Sequence, residues 1–300
     1  MEIVFQLLLD ALLLSGFYTV LSVGFSLMWG VTGIINLAYG SFIILGAYLS
    51  YMIYMAGFDV LLFLPLIFIL GFLLGLFFQA LFVNRLMGYE PFTILVLTFG
   101  FDVVITNLLN LIFKADIRSI SLPFENFSLF IADLILPLNR LLVFFFSLIS
   151  LFALYTFLRY SWTGRAIRAV SLDPVGAQLC GIKPKRVFMI STGIAIGLAL
   201  FSGGFYAMLQ GFTPFESGWL TIRAFLICVI AGLGSVSGLA FGSFILSLFE
   251  VFSGFYLGED WKDVVSLMLL IAFLTIRPRV NMRGRKSKTS KPAMYIMYER

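Results

Sequence analysis

Apolar runs of about twenty residues dominate this chain. They fall at roughly 5–29, 33–56, 60–83, 92–113, 138–158 and 187–209, followed by a glycine-rich apolar region at 224–257 and a last run near 263–277. A helix of about 20 residues crosses the ~30 Å hydrocarbon core of a bilayer. In that core every backbone N–H and C=O must be bonded within the protein, which leaves very few ways to fold. Composition agrees. Apolar residues make up 61% and charged residues 12%, against about 25% charged in a soluble domain. The expectation is an all-α polytopic membrane protein of about eight spans plus broken or re-entrant segments. It occupies 1–277 and is followed by a basic, solvated and disordered tail at 278–300. The start, Met1-Glu2 with Asp10 inside the first run, has no basic leader or small-residue cleavage site, so it reads as a retained span.

Lysine and arginine set the orientation. Arg85, six residues of the segment 159–186 and eight of the tail fall on one side, fifteen in all. Lys114, Arg118, Arg140, Arg223 and Lys262 make five on the other. The positive-inside rule then places 159–186 and the C-terminus in the cytoplasm and the N-terminus outside. Such a topology also explains the net charge of +5 without any nucleic acid as partner.

Arg159–Arg186 is the one interior segment dense in charge, with six basic residues against a single acid, Asp173. Its middle reads as a short helix. Asp173 caps it, Pro174 suits the first helical position, and Gly181 ends it. An ordinary positive-inside loop would look similar, but a capped helix there is also a handle for a cytoplasmic partner.

Two places interrupt the apolar pattern. By parity, 224–257 must begin and end outside, yet its 34 residues reach only about 51 Å as helix. A pair of short or re-entrant segments follows, turning at 232–238, and non-helical backbone at that depth must be covered by protein or face a cavity. The second place is 30–37. Leu37-Ala38-Tyr39-Gly40-Ser41-Phe42-Ile43 matches Leu239-Ala240-Phe241-Gly242-Ser243-Phe244-Ile245 at six of seven positions. This suggests a parallel internal repeat, and corresponding interrupted spans point to a translocation path. Chance coincidence in so biased a chain is the competing explanation. Candidates for the path are Asn36, Tyr39, Gly40, Gly232, Gly234, Ser235 and Gly238, with Asp102, Asn107 and Glu250 as polar groups at membrane depth. Packing or neutral hydrogen bonding would also account for them. Gly71 and Gly75 have the spacing of close helix packing.

No constellation for catalysis is present. Histidine is absent and only Cys180 and Cys228 occur. Gly232-Leu233-Gly234-Ser235-Val236-Ser237-Gly238 lacks the lysine of a nucleotide-binding loop. An enzyme is excluded on this reading, no cofactor is expected to be bound by this chain, and hydrolysis of ATP falls to another subunit.

Four blocks now take on meaning together. GFSLMWGVTGIINLAYGSFIILGAYLSY (24–51), RYSWTGRAIRAVSLDPVGAQLCGIKPKRV (159–187), RAFLICVIAGLGSVSGLAFGSFILSLFE (223–250) and YLGEDWKDVVSLMLLIAFLTIRPR (256–279) resemble, in order, the signatures of LivH-type permease subunits of the branched-chain amino-acid ABC importers. The resemblance covers nearly the whole chain. It implies a helical permease paired with a second permease (a longer sister, or itself) on two cytoplasmic ABC ATPases, which use ATP. Substrate would arrive from an extracytoplasmic binding protein at the cell membrane. It also implies that 165–182 is a coupling helix seated on an ATPase, with Arg165, Arg168, Asp173, Pro174, Gly176, Ala177, Leu179 and Gly181 as its residues. The chain departs from the pattern at Ala231-Gly232 and Phe241-Gly242-Ser243, where relatives carry glycine pairs, and at Asp102. The alternative is an ion-coupled secondary carrier of amino acids or amides, with Asp102 and Glu250 as coupling groups.

Overall fold

In a computed structural model, residues 2–87, 89–122, 128–131, 134–232 and 236–276 are described. Gly234, Ser235 and the tail at 278–300 lie outside them. The order is α1 (Glu2–Thr32), α2 (Tyr39–Met55), α3 (Val60–Phe78), a π-helical turn (Gln79–Val83), α4 (Asn84–Leu86) and α5 (Pro91–Phe113). A hairpin of β1 (Ser128–Ile131) and β2 (Leu134–Pro137) leads into α6 (Leu138–Tyr160), α7 (Trp162–Leu172) and α8 (Pro174–Leu179). Then come α9 (Pro184–Leu209), a 3₁₀ turn (Pro214–Glu216), α10 (Ser217–Ala231), α11 (Val236–Tyr256) and α12 (Trp261–Ile276). Among the described residues the fold is all-helical apart from that short hairpin.

Seven helical segments among the described residues are long and apolar enough to cross a bilayer, while α2, at 17 residues, is shorter. α9 is the central post, buried along most of its length, with α1, α2 and α3 packed around it. The contact with α3 is close because glycine meets glycine. A Cβ on Gly75 would stand 2.7 Å from the Cα of Gly193, and one on Gly71 2.9 Å from the Cα of Gly197. Small residues let helix backbones approach where no hydrophobic effect drives association. By contrast α5 and α6 turn wide apolar faces outward, with Phe99, Leu111, Ile149 and Phe152 all exposed, as hydrocarbon or a second membrane subunit would require.

The structure corrects three boundaries. The second run does not become helical at 33. Residues 33–38 are non-helical and α2 starts at Tyr39. The apolar pair does not start at 224, because α10 begins at Ser217 and so takes Arg223 into its body. Arg223, counted with the loops, is a largely enclosed helical residue with 14% side-chain exposure. Finally, the basic segment holds two helices rather than one spanning 165–182.

Candidate functional site

At the basic end of the bundle, Ser161 closes α6 and opens α7, its Oγ accepting from the Gly164 N–H at 2.8 Å. α7 is amphipathic and buries Gly164, Ile167 and Val170. Asp173 then breaks the helix in extended conformation and restarts it: its Oδ1 accepts from the Val175 N–H at 3.0 Å, with Pro174 next. Gly176 packs beside that carboxylate, and Ala177 is the buried residue of α8. Gly181, at φ +83°, reverses the chain, and the Ile182 N–H returns to the Ala177 carbonyl at 3.1 Å. The cap, first residue and stop expected from sequence are therefore all present.

The outward surface of α7 and α8 is unusual. Trp162, Leu172 and Leu179 are 80%, 83% and 86% exposed. Arg165 lies over the Trp162 ring at 4.8 Å, and Arg168 donates to the Arg159 carbonyl at 3.2 Å. None of Arg159, Arg165, Arg168 and Arg186 forms an ion pair among the described residues. Exposed apolar side chains thus stand beside cations that no acid among the described residues pairs.

Deeper in the bundle, most amides of the break at 33–38 find acceptors within the break or on neighbouring helices. The Gly33 N–H bonds to the Trp29 carbonyl, Ile34 to Thr32 Oγ1, Leu37 to Thr98 Oγ1, Ala38 to Asn36 Oδ1, and Gly40 to Thr221 Oγ1 at 2.8 Å. Asn36 is thus the side chain that turns the chain into α2. Tyr39, fully buried, donates to the Leu21 carbonyl at 2.9 Å. Gly40 lies so near the Ser217 carbonyl that a side chain there would overlap it. The N-termini of α2 and α10 therefore meet inside the bundle. Thr98, Asp102 and Thr106, spaced at i, i+4 and i+8 on α5, run beside this junction. Thr98 accepts from Leu37, Asp102 lies by the hydroxyls of Ser41 and Ser217, and Thr106 is 3.2 Å from Ser217. Thr98 and Thr106 stand about 10 and 22 Å along α5, so both N-termini are well below the surface. A carboxylate at two helix N-termini meets their positive ends, which accounts for an acid in this place. Asp102 Oδ1 is nevertheless buried without a hydrogen-bond partner among the described residues.

A family model for branched-chain amino acid transport system permease components matches residues 7–274. The chain belongs to that family. This permease is 28% identical to the high-affinity branched-chain amino acid transport system permease protein LivH of Escherichia coli strain K12, over 91% of this chain and 93% of the relative. It is also 28% identical to LivM of the same organism, over 90% of this chain and 68% of the relative. Among solved structures, PsaBC from Streptococcus pneumoniae in complex with Fab is similar in fold, with a TM-score of 0.51 at 12% identity over 91% of this chain and 93% of that one. The matches agree with the four sequence blocks and with an all-helical membrane architecture.

The remaining candidates of the permease fall elsewhere. Asn107 is exposed on α5 and donates to its own helix at the Val103 carbonyl, 2.7 Å away. Gly232 ends α10 at φ +85° and Gly238 sits in the first turn of α11. Glu250 is 2% exposed and enclosed by donors. Tyr18 OH and Arg223 Nε (3.0 Å) reach it from α1 and α10, and Ser266 Oγ (2.8 Å) from α12. A second terminal nitrogen of Arg223 pairs with Asp263 at 2.8 Å. Sequence reasoning singled out Glu250 but missed Arg223, Asp263 and Tyr18. The available signal was an arginine in the run Leu220-Thr221-Ile222-Arg223-Ala224-Phe225-Leu226, since a cation among apolar residues at membrane depth demands a partner.

Proposed function

We propose that this chain is the membrane permease subunit of an ATP-driven importer of branched-chain amino acids, supplying the translocation path and transmitting the ATPase cycle to it. The observation that carries the reading is the capped pair α7–α8, whose free arginines and exposed Trp162, Leu172 and Leu179 form a docking face on a chain without a nucleotide-binding motif. On this reading the basic end is cytoplasmic, the N-terminus is outside and the C-terminus inside. Two ABC ATPases dock on two permeases, this one paired with a longer sister or with itself. ATP is bound and hydrolysed by those subunits, this chain performs no catalysis, and an external binding protein delivers the substrate. Family membership and likeness to LivH and LivM support this assembly.

Mechanically, a remote ligand can move the path only by favouring one of two packings. ATPase closure would pull α7 and α8, which pack on α6 and α9, and α9 carries α1, α2 and α3 with it. The junction of the α2 and α10 N-termini, held by short hydroxyl contacts rather than by interdigitated side chains, is the element most readily exchanged. The residues proposed for coupling are Arg165, Arg168, Asp173, Pro174, Gly176, Ala177, Leu179 and Gly181. A stand-alone ion-coupled carrier is less well supported, because Glu250, one of its two acids, is already held by Arg223, Tyr18 and Ser266.

The test is uptake of labelled leucine into proteoliposomes holding the permease pair, with and without the ATPases and the binding protein. Uptake should require ATP. Deleting 173–180, or Gly176→Arg, should abolish it while membrane insertion and detergent extraction stay normal. Uptake by this chain alone on an ion gradient would overturn the reading.

A further inference from the structure

At the end of the bundle opposite the basic segment, the Arg223–Asp263 ion pair sits between two adjoining cavities. One, of about 280 Å³, is lined by Tyr206, Gln210, Glu216 and Trp219 together with the pair. The other, of about 190 Å³, shares Gln210, Arg223 and Asp263 and adds Leu14, Tyr18 and Val251 together with Glu250 and the Glu259–Lys262 ion pair. The two carboxylates on Arg223 are not alike. Glu250 is 2% exposed and held by three donors, whereas Asp263 is 39% exposed and its side chain bonds to Arg223 alone among the described residues. Arg223 uses Nε and one terminal nitrogen on these acids, which leaves its other terminal nitrogen without a protein acceptor among the described residues. The weaker half of this buried charge cluster thus faces open space on two sides.

We propose that this crevice is a binding site for a free zwitterionic amino acid with an apolar side chain, which enters by inserting into the Arg223–Asp263 pair. The substrate carboxylate takes the place of Asp263 on the guanidinium, and the released Asp263 carboxylate takes the substrate ammonium. Every charge keeps an opposite partner throughout, so the site can open without stranding an ion in a medium of low dielectric. Glu250, which also borders the second cavity, keeps its three donors and holds Arg223 in place. Trp219 and Tyr206 on one side, and Leu14 and Val251 on the other, offer apolar walls to the side chain. A volume near 300 Å³ is at the small end of ligand pockets, as an amino acid requires. Inserting the substrate also separates α10 from α12, because Arg223 and Asp263 join those helices. The proposal deepens the importer reading, on which it rests, by naming where the permease first holds what the external protein releases.

Half-ligands test the insertion. Leucine, 4-methylpentanoate (no ammonium) and isoamylamine (no carboxylate) share the same side chain. Each is titrated against the full permease complex in nanodiscs, without binding protein, by competition with labelled leucine. Leucine should bind, and each half-ligand should bind at least about thirtyfold more weakly, because it leaves one member of the opened pair without a partner. Asp263→Asn should weaken leucine by a similar factor while reducing that discrimination against 4-methylpentanoate. Leucine should also quench Trp219, read as the signal lost in Trp219→Phe. Half-ligands equal to leucine, or no leucine binding by the unaltered complex, would overturn the site. If ATP-driven uptake with the binding protein present is normal and these binding results still fail, the crevice assignment falls and the importer reading stands. If uptake itself needs no ATPase, the importer reading falls.

Discussion

The two ends of this bundle use charge in opposite ways. At one, Arg223 is largely enclosed, paired with the buried Glu250 and the more exposed Asp263, and Tyr18 and Ser266 complete the shell, so that α1, α10, α11 and α12 are tied at one point. At the other, Arg159, Arg165, Arg168 and Arg186 lie in a segment whose one acid, Asp173, is occupied in capping α8. A charge removed from water must be paired within its own chain, or its burial is prohibitive. A charge left in water has no such need and stays available to another protein. The contrast separates residues that fasten the permease from residues that can speak to a partner, and it does so without reference to sequence likeness.

The largest test breaks the fastening end. Glu250→Ala leaves Arg223 with the exposed Asp263 alone and strips the acceptor from Tyr18, so the expected loss of stability is about 3–5 kcal/mol. Thermal unfolding of the detergent-solubilised permease, followed by size-exclusion profile, measures it. Replacing Arg223 and Glu250 together by methionine should recover much of that loss, because paired removal leaves no stranded ion. A single variant as stable as the parent would mean that the cluster is wet and the contrast with the basic end false.

The next test removes the Asp173 cap. Asp173→Ala exposes the Val175 N–H and should cost about 1 kcal/mol locally, far less than Glu250→Ala, with no effect on assembly of the membrane bundle. ATP-driven uptake should nevertheless fall more than stability does. A stability loss matching that of Glu250→Ala would show α8 to be part of the bundle rather than an appended handle.

These differences mark what could be read in the chain and what could not. Local features were legible: the cap, proline and stop of α8 depend on neighbours within a turn, and Asp173, Pro174 and Gly181 stand at the expected places. The apolar runs gave the helices, because in hydrocarbon the backbone has few other choices. Three-dimensional pairing was not legible. Arg223 looked like a loop residue because hydropathy records that a charge is unfavourable but not that Glu250, 27 positions later, satisfies it. Asn36, Tyr39 and Gly40 stand out in the sequence as polar or small residues at a break, but their contacts do not. The structure gives each a specific fastening, in a turn, a hydroxyl contact and a close approach to Ser217.

The smallest effect on stability is expected from Arg165→Ala, and for that reason it sharpens the comparison most. Arg165 is exposed, makes no ion pair among the described residues and stacks on the equally exposed Trp162 at 4.8 Å. Surface substitutions of this kind fall within about 0.5 kcal/mol of neutral, so the unfolding profile should not move. If the arginines of the basic end serve a partner, the loss appears only when the partner is present. The ATPase subunits should co-purify less well, and their hydrolysis should respond less to the binding protein, with the deficit shrinking as salt is raised because screening weakens the same charge contact in the parent. Arg165→Lys should restore part of the effect, since it returns the charge but not the planar stack on Trp162. An Arg165→Ala variant that is both stable and fully coupled would place the docking contact on Leu172 and Leu179 instead, leaving the arginines to hold the segment at the membrane face.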